Sequence, residues 1–123
     1  MIVDHVGIAV SDYEKSKNFY LTILTPFGIE PITEHEGWIG FGKNSKPEFW
    51  LGPGKVTKYY MHVAFVADTK EIVDAFYRMA IEEGATCSGK PKIRTDYYTG
   101  YYGAFIIDYD GHHIGAVVHH SAL

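Results

Sequence analysis

Cysteine is nearly missing: Cys87 stands alone among 123 residues, which excludes an internal disulfide framework and a structural zinc site built on paired cysteines. Positive charge is sparse as well. Eleven Lys and Arg face 15 Asp and Glu, for a formal net charge of −4, and no basic run occurs. A dominant nucleic-acid interface, which draws its affinity from clustered cations, is thereby excluded. No stretch of about 18 apolar residues exists, and Met1 to Val10 lacks a basic leader followed by an apolar segment. Neither a membrane span nor an export signal is expected, and the cytoplasm is the expected compartment. A Walker-type phosphate loop, a dinucleotide fingerprint and a nucleophile elbow are also absent, which removes the usual support for nucleotide-dependent and acyl-transfer chemistry.

What is present is the balance of an ordinary globular chain, 46% hydrophobic and 21% charged, of a length that suits one domain burying roughly two thirds of its unfolded surface. Tyrosine is the compositional oddity: there are ten, with Tyr97, Tyr98, Tyr101 and Tyr102 inside six positions. Rings with a polar tip suit pockets and interfaces, although ordinary packing accounts for such a cluster equally well.

An internal repeat organises the chain. Asp4 to Tyr20 (DHVGIAVSDYEKSKNFY) aligns without a gap on Met61 to Tyr77 (MHVAFVADTKEIVDAFY), with His5 on His62, Val6 on Val63, Glu14 on Glu71, Phe19 on Phe76 and Tyr20 on Tyr77. Each copy opens with a β-rich run, Val3 to Val10 and Met61 to Ala67, passes a helix-capping side chain, and enters a helix. Ile72, Val73, Phe76, Met79 and Ala80 recur at helical spacing before Gly84; the first copy is weaker, with Phe19, Tyr20, Ile23 and Leu24 ahead of Pro26. Short strands are then expected at Glu30 to Glu34, Trp38 to Gly42 and Glu48 to Gly52. The second set is Thr86 to Ser88, Gly103 to Ile107 and His113 to His119, with a hairpin turn at Tyr109-Asp110-Gly111. The expectation is an α+β fold of two paired βαβββ modules, about 1–53 and 59–123, whose mixed sheet curves into a cup, with 52–58 as the linker. His5 and His62 take equivalent places near the start of equivalent strands, so a pseudo-twofold would bring two imidazoles to one point, half of a transition-metal site.

The segments DHVGI, MHVAF, DAFYRMAIEEGA and YYGAFIIDYDGHHIGAV together resemble the vicinal-oxygen-chelate superfamily, which includes glyoxalases, bleomycin-resistance proteins and extradiol dioxygenases. The resemblance covers essentially the whole chain. It implies a divalent metal (Zn, Ni, Mn or Fe) held by a His or Gln from the first strand of each module and a carboxylate from the last, chelating vicinal oxygens of a small-molecule substrate in a glyoxalase-like lyase or isomerase. Small members usually pair as homodimers, so a twofold dimer is expected.

The chain departs from that pattern. The carboxylate positions fall on Trp50 and Gly115, which removes two ligands and the usual general base. Strand periodicity offers His5, Glu48, His62 and His113 as a compensated set, since Glu48 shares a face with Trp50 and His113 with Gly115. The resemblance also implies a metal-free alternative of the bleomycin-resistance type, with an aromatic or cationic ligand held against Trp50 and walls from Trp38, Tyr98, Tyr101 and Tyr102. A ring-cleaving dioxygenase is less well supported, because the chain is short and lacks the carboxylate. Lys90, Lys92 and Arg94 could attract an anionic substrate group, though a solvated loop is the expected setting, and Asp96 could neutralise Arg94. Cys87 reads as a buried strand thiol, and His119 and His120 as a frayed tail.

Overall fold

The computed structural model describes residues 3–55, 61–95 and 100–119. The chain divides into two compact units, Met1–Tyr59 and Tyr60–Leu123. Each is a four-stranded mixed sheet with one helix, and each follows the order β-α-β-β-β. The fold is therefore α+β, built from one motif used twice.

In the first unit β1 (Val6–Val10) leads into α1 (Tyr13–Ile23), a 3-10 turn (Thr25–Phe27), β2 (Glu30–His35), β3 (Trp38–Lys43) and β4 (Lys46–Pro53). Asp12 caps α1 by accepting the Lys15 N–H at 3.2 Å, and Pro26 sits where the α-helix can no longer continue. The sheet order is β1-β4-β3-β2, with β1 parallel to β4 and the other pairs antiparallel. The two hairpins turn on Glu36-Gly37 and Asn44-Ser45, all four residues with positive φ, the turn form whose twist matches that of flanking strands. Ile8, Val10, Ile39, Phe41, Phe49 and Leu51 are buried, as are Phe19, Tyr20 and Ile23 of α1. The Tyr20 and Phe49 rings lie 5.3 Å apart.

The second unit repeats this with β5 (His62–Val66), α2 (Lys70–Glu82), β6 (Thr86–Arg94), β7 (Tyr101–Ile107) and β8 (His113–His119), in the order β5-β8-β7-β6. Thr69 caps α2 through the Ile72 N–H. Val73, Phe76 and Ala80 are the buried stripe of α2, and Ala104, Ile106, Ile114, Ala116 and Val118 are buried on the sheet. The β7–β8 turn is locked by the Asp108 carboxylate, which accepts the N–H groups of Asp110 and His112 at 2.9 Å each, while Gly111 takes φ +93°. His112 is buried, and its Nδ1 accepts the Met61 N–H at 3.0 Å, fastening the start of β5 to the turn.

Three local expectations are corrected. β6 runs nine residues, to Arg94, where only Thr86 to Ser88 was expected as strand, so Lys90, Lys92 and Arg94 lie on an edge strand and not in a loop. Gly89 and Pro91 read as breakers in sequence, but the ladder absorbs them through register shifts at Cys87/Gly89 and Gly89/Lys92, and an edge strand tolerates a residue that donates no N–H. Cys87, expected buried, is exposed on that same edge, within hydrogen-bonding reach of Tyr77. His119, read both as the end of the strand His113 to His119 and as part of a frayed tail, closes β8 opposite Tyr101, so the strand reading holds and the tail reading does not; His120 lies outside the described residues. Among the described residues no helix is long and apolar enough to cross a membrane.

Removing the cap hydroxyl in Thr69→Ala should cost about 1 kcal/mol of unfolding free energy in urea melts, and Thr69→Ser should restore most of it.

Candidate functional site

Strand register determines which side chains share a face. In the first unit Ile8, Ile39, Phe41, Phe49 and Leu51 turn toward α1, so Gly7, Trp38, Gly40, Trp50 and Gly52 turn the other way. On this open face each tryptophan rests on a glycine of the neighbouring strand. Trp50 on β4 is paired with Gly40 on β3, and a methyl group at Gly40 would stand 3.0 Å from Trp50 Cε2 and Cη2. Reciprocally, Trp38 on β3 lies over Gly52 on β4, where a methyl would fall inside the contact distance of the indole. Gly7 on β1 extends the bed, with Trp38 Cζ3 at 3.3 Å from a Cβ built there. Both indoles are half-buried, and with His5, Gly7, His35 and Glu36 they line an open groove of about 440 Å³. His35 and Glu36 reach it from the end of β2 and its turn.

His5 is 60% exposed, and its Nδ1 lies 2.8 Å from Asp4 Oδ1. Lys46 holds the same Asp4 at 3.2 Å; the His5 hydrogen bond and then Lys46 lower the Asp4 pKa below the usual carboxylate range. Glu48 is exposed and sits at the bulge of the β3–β4 ladder, between the Gly42–Pro47 and Phe41–Phe49 pairs. Tyr13 and Lys17 of α1 hold Glu34 at 2.7 and 2.9 Å, so this acid of β2 is engaged with the helix, and the Lys17 hydrogen bond lowers its pKa.

The second unit builds its open face by the same rule with the residues exchanged. The equivalent of the Gly40–Trp50 pair is Phe105–Gly115: the ring comes from β7, the glycine from β8, and a methyl at Gly115 would stand 2.5 Å from Phe105 Cδ1 and Cε1. His62 and His113 are direct cross-strand neighbours. Their rings stack at 6.1 Å with an interplanar angle of 21°, and His62 also meets Phe105 at 5.9 Å. Tyr101 joins the group, 6.4 Å from Phe105 and 6.2 Å from His119. Arg94 lies over the Phe105 ring at 5.1 Å.

Tyr102 faces the opposite way. It pairs with buried Val118, and its hydroxyl donates to Asp74 of α2 while Lys70 lies over its ring. Burial, and then the hydrogen bond to Asp74, push its phenol up to about 12. Tyr97, Tyr98 and Asp96 lie outside the described residues. The residues that sequence reasoning missed are Gly7, Gly40, Gly52, His35, Glu36 and Phe105; the signal for the glycines was their recurrence opposite aromatic positions on adjacent strands.

The donor chemistry within each unit does not fit a divalent ion bound in the manner implied by the resemblance. Trp50 fills one carboxylate position with an indole, and Phe105 covers the other, where Gly115 offers no side chain. Lone pairs of imidazole lie in the ring plane, so near-parallel stacked rings 6.1 Å apart do not aim at a common point about 2.1 Å from each nitrogen. Within each unit, among the described residues, no three His, Cys, Asp or Glu side chains are placed to hold a metal ion together.

Residues 2–115 match the family model described as Glyoxalase/Bleomycin resistance protein/Dioxygenase superfamily. Among solved structures, a glyoxalase/bleomycin resistance protein from Albidiferax ferrireducens T118 is 27% identical, with a TM-score of 0.83 over 96% of this chain and 99% of that one. A glyoxalase/bleomycin resistance protein/dioxygenase family enzyme from Burkholderia phytofirmans PsJN is 21% identical, with a TM-score of 0.71 over 94% and 96%. A variant of the fosfomycin resistance protein FosX from Listeria monocytogenes, complexed with Mn(II) and 1S,2S-dihydroxypropylphosphonic acid, is 20% identical, with a TM-score of 0.70 over 95% and 90%. Among curated proteins none matches.

The glycine bed is testable on its own. Gly52→Ala should displace Trp38 and cost about 1 to 3 kcal/mol in denaturant unfolding, and in a Trp50→Phe background the remaining indole should change its emission maximum.

Proposed function

This chain belongs to the Glyoxalase/Bleomycin resistance protein/Dioxygenase superfamily, and from that premise we propose that it is a small-molecule-binding member that stacks a flat aromatic ligand on Trp38 and Trp50. The observation that carries this reading is the pair of indoles laid on Gly52 and Gly40 beside a groove of about 440 Å³. A ring held flat by a glycine beneath it presents its other face outward at little entropic cost, which is what stacking requires. Glu36 lines the groove and favours a ligand carrying positive charge, to which indole faces add cation–π attraction.

Titration with N-methylquinolinium, followed by tryptophan fluorescence, should show saturable quenching. Trp38→Ala and Trp50→Ala should each weaken binding about tenfold or more, the equivalent of about 1.4 kcal/mol, and naphthalene should bind less tightly than the cation. Equal binding by the wild type and both variants would overturn the reading.

The second reading is a metal-dependent glyoxalase-like lyase with His5, Glu48, His62 and His113 as ligands. It is favoured by the Asp4 carboxylate at His5 Nδ1, an arrangement in which histidine offers Nε2 to a metal, and by the Mn(II) complex of FosX, a protein of the same fold. Elemental analysis of tag-free protein decides between the two. About one equivalent of transition metal, lost in the His5→Ala, His62→Ala double variant, would establish the lyase reading's first requirement. Protein that takes up no zinc, nickel, manganese or ferrous iron on incubation would remove it.

A further inference from the structure

We propose that the open face of the second sheet is an oxyanion-binding surface, on which Arg94, laid against Phe105, takes a carboxylate or phosphate group of a small molecule. The four strands β5 to β8 contain no Asp or Glu, yet they carry Lys90, Lys92, Arg94, His62, His113 and His119. The acidic side chains of this unit among the described residues are on or beside α2 and in the turn at 108–111. The first sheet is mixed, with Glu30, Glu34 and Glu48 beside Lys43 and Lys46 on its strands. Of two sheets of the same topology, the second thus carries cationic side chains with no acid among them.

Register places the cationic groups together. Arg94 pairs with Tyr101, Tyr101 with His119, Lys92 with Gly103, and His113 with His62. These residues share the face of Phe105 and Gly115, opposite to the one covered by α2. Arg94 is itself held in place. Its Nε donates to the Gly103 carbonyl at 3.3 Å and its Nη2 to the Lys90 carbonyl at 2.7 Å. Its guanidinium carbon stands 5.1 Å from the Phe105 centroid, and Gly89 makes room for it, since a methyl there would meet Nη2 at 2.7 Å.

Two of the five guanidinium N–H groups go to carbonyls; the others, including both on Nη1, meet no carboxylate among the described residues. A guanidinium fixed by carbonyls and a ring has already lost its rotamer freedom, and its remaining fork matches a carboxylate or phosphate. His62 borders the same Phe105 ring at 5.9 Å, which places an imidazole beside the anion that Arg94 would hold.

The chain has two arginines, and Arg78 on α2 is an internal control, exposed beside Glu82. In ¹⁵N-labelled protein the Arg94 Nε–H signal should shift saturably on titration with inorganic phosphate, or with benzoate, while the Arg78 signal stays in place. Comparing the two anions shows which head group is preferred. The His62 and His113 ring signals should move with the same midpoint. Arg94→Lys, which keeps the charge but loses the fork, should weaken binding about tenfold as read from those histidine signals. Because Arg94 also ties β6 to β7, His62→Gln is the companion variant: it leaves the arginine anchors intact and should weaken binding several-fold as read from the Arg94 Nε–H signal. An Arg94 signal that does not move at millimolar anion, or that moves no more than Arg78, would overturn the proposal, as would undiminished binding in both variants. Both tryptophans lie in the first unit, so fluorescence reports on the aromatic groove alone and the two proposals fail separately.

Discussion

An aromatic ring lying on a glycine of the neighbouring strand is the contact on which both open faces depend. A sheet face turned away from its helix must present something, and a flat ring needs a partner with no side chain beneath it to lie close. The first unit meets this with Trp50 on Gly40 and Trp38 on Gly52, and the second with Phe105 on Gly115. The same rung of the motif is therefore filled in opposite order, glycine then ring in one unit and ring then glycine in the other. In both, the place from which a carboxylate is implied by family resemblance is taken up in ring packing.

Several other features follow from that choice. With the rings pinned, a groove beside Trp38 and Trp50 persists without the ligand having to order it, and the Phe105 ring gives Arg94 a surface to lie on. The acids of the second unit are withdrawn from its strands, and those of the first are partly tied up, Glu34 by Tyr13 and Lys17 and Asp4 by His5 and Lys46. The two repeats have kept their topology and their helix-side cores while their open faces have diverged in ring type and in charge. Function within a shared fold resides in such faces, and the topology itself is indifferent to them.

The motif was legible because its signals are local and repeated. An offset of 57 with His5 on His62 and Phe19-Tyr20 on Phe76-Tyr77 marks the same strand and helix twice, and the helical spacing around Val73 and Phe76 reports a buried stripe that the structure contains. Trp50 and Gly115 could be recognised as departures from a family pattern, since that depends only on position along a strand. β6 was missed because Gly89 and Pro91 carry the punctuation of a loop, and only pairing with β7 shows that bulges on an edge strand accommodate them. Cys87 was misplaced for the same reason: the alternation of a strand does not say whether the strand lies at an edge.

The sequence by itself determined the periodicities, the repeat, the caps and the turns, because each depends on the conformational preferences of residues close together along the chain. By strand alternation it also put Glu48 with Trp50, and His113 with Gly115, on one strand face. What only the tertiary structure decided is which residues from different strands meet. Trp38 covers Gly52, Phe105 covers Gly115, His62 stacks on His113, and Tyr102 turns to Asp74 while its neighbour Tyr101 turns to Phe105. The reason is physical: register between strands is set by the whole sheet and its packing on the helix, and a shift of one residue would exchange every one of these partners.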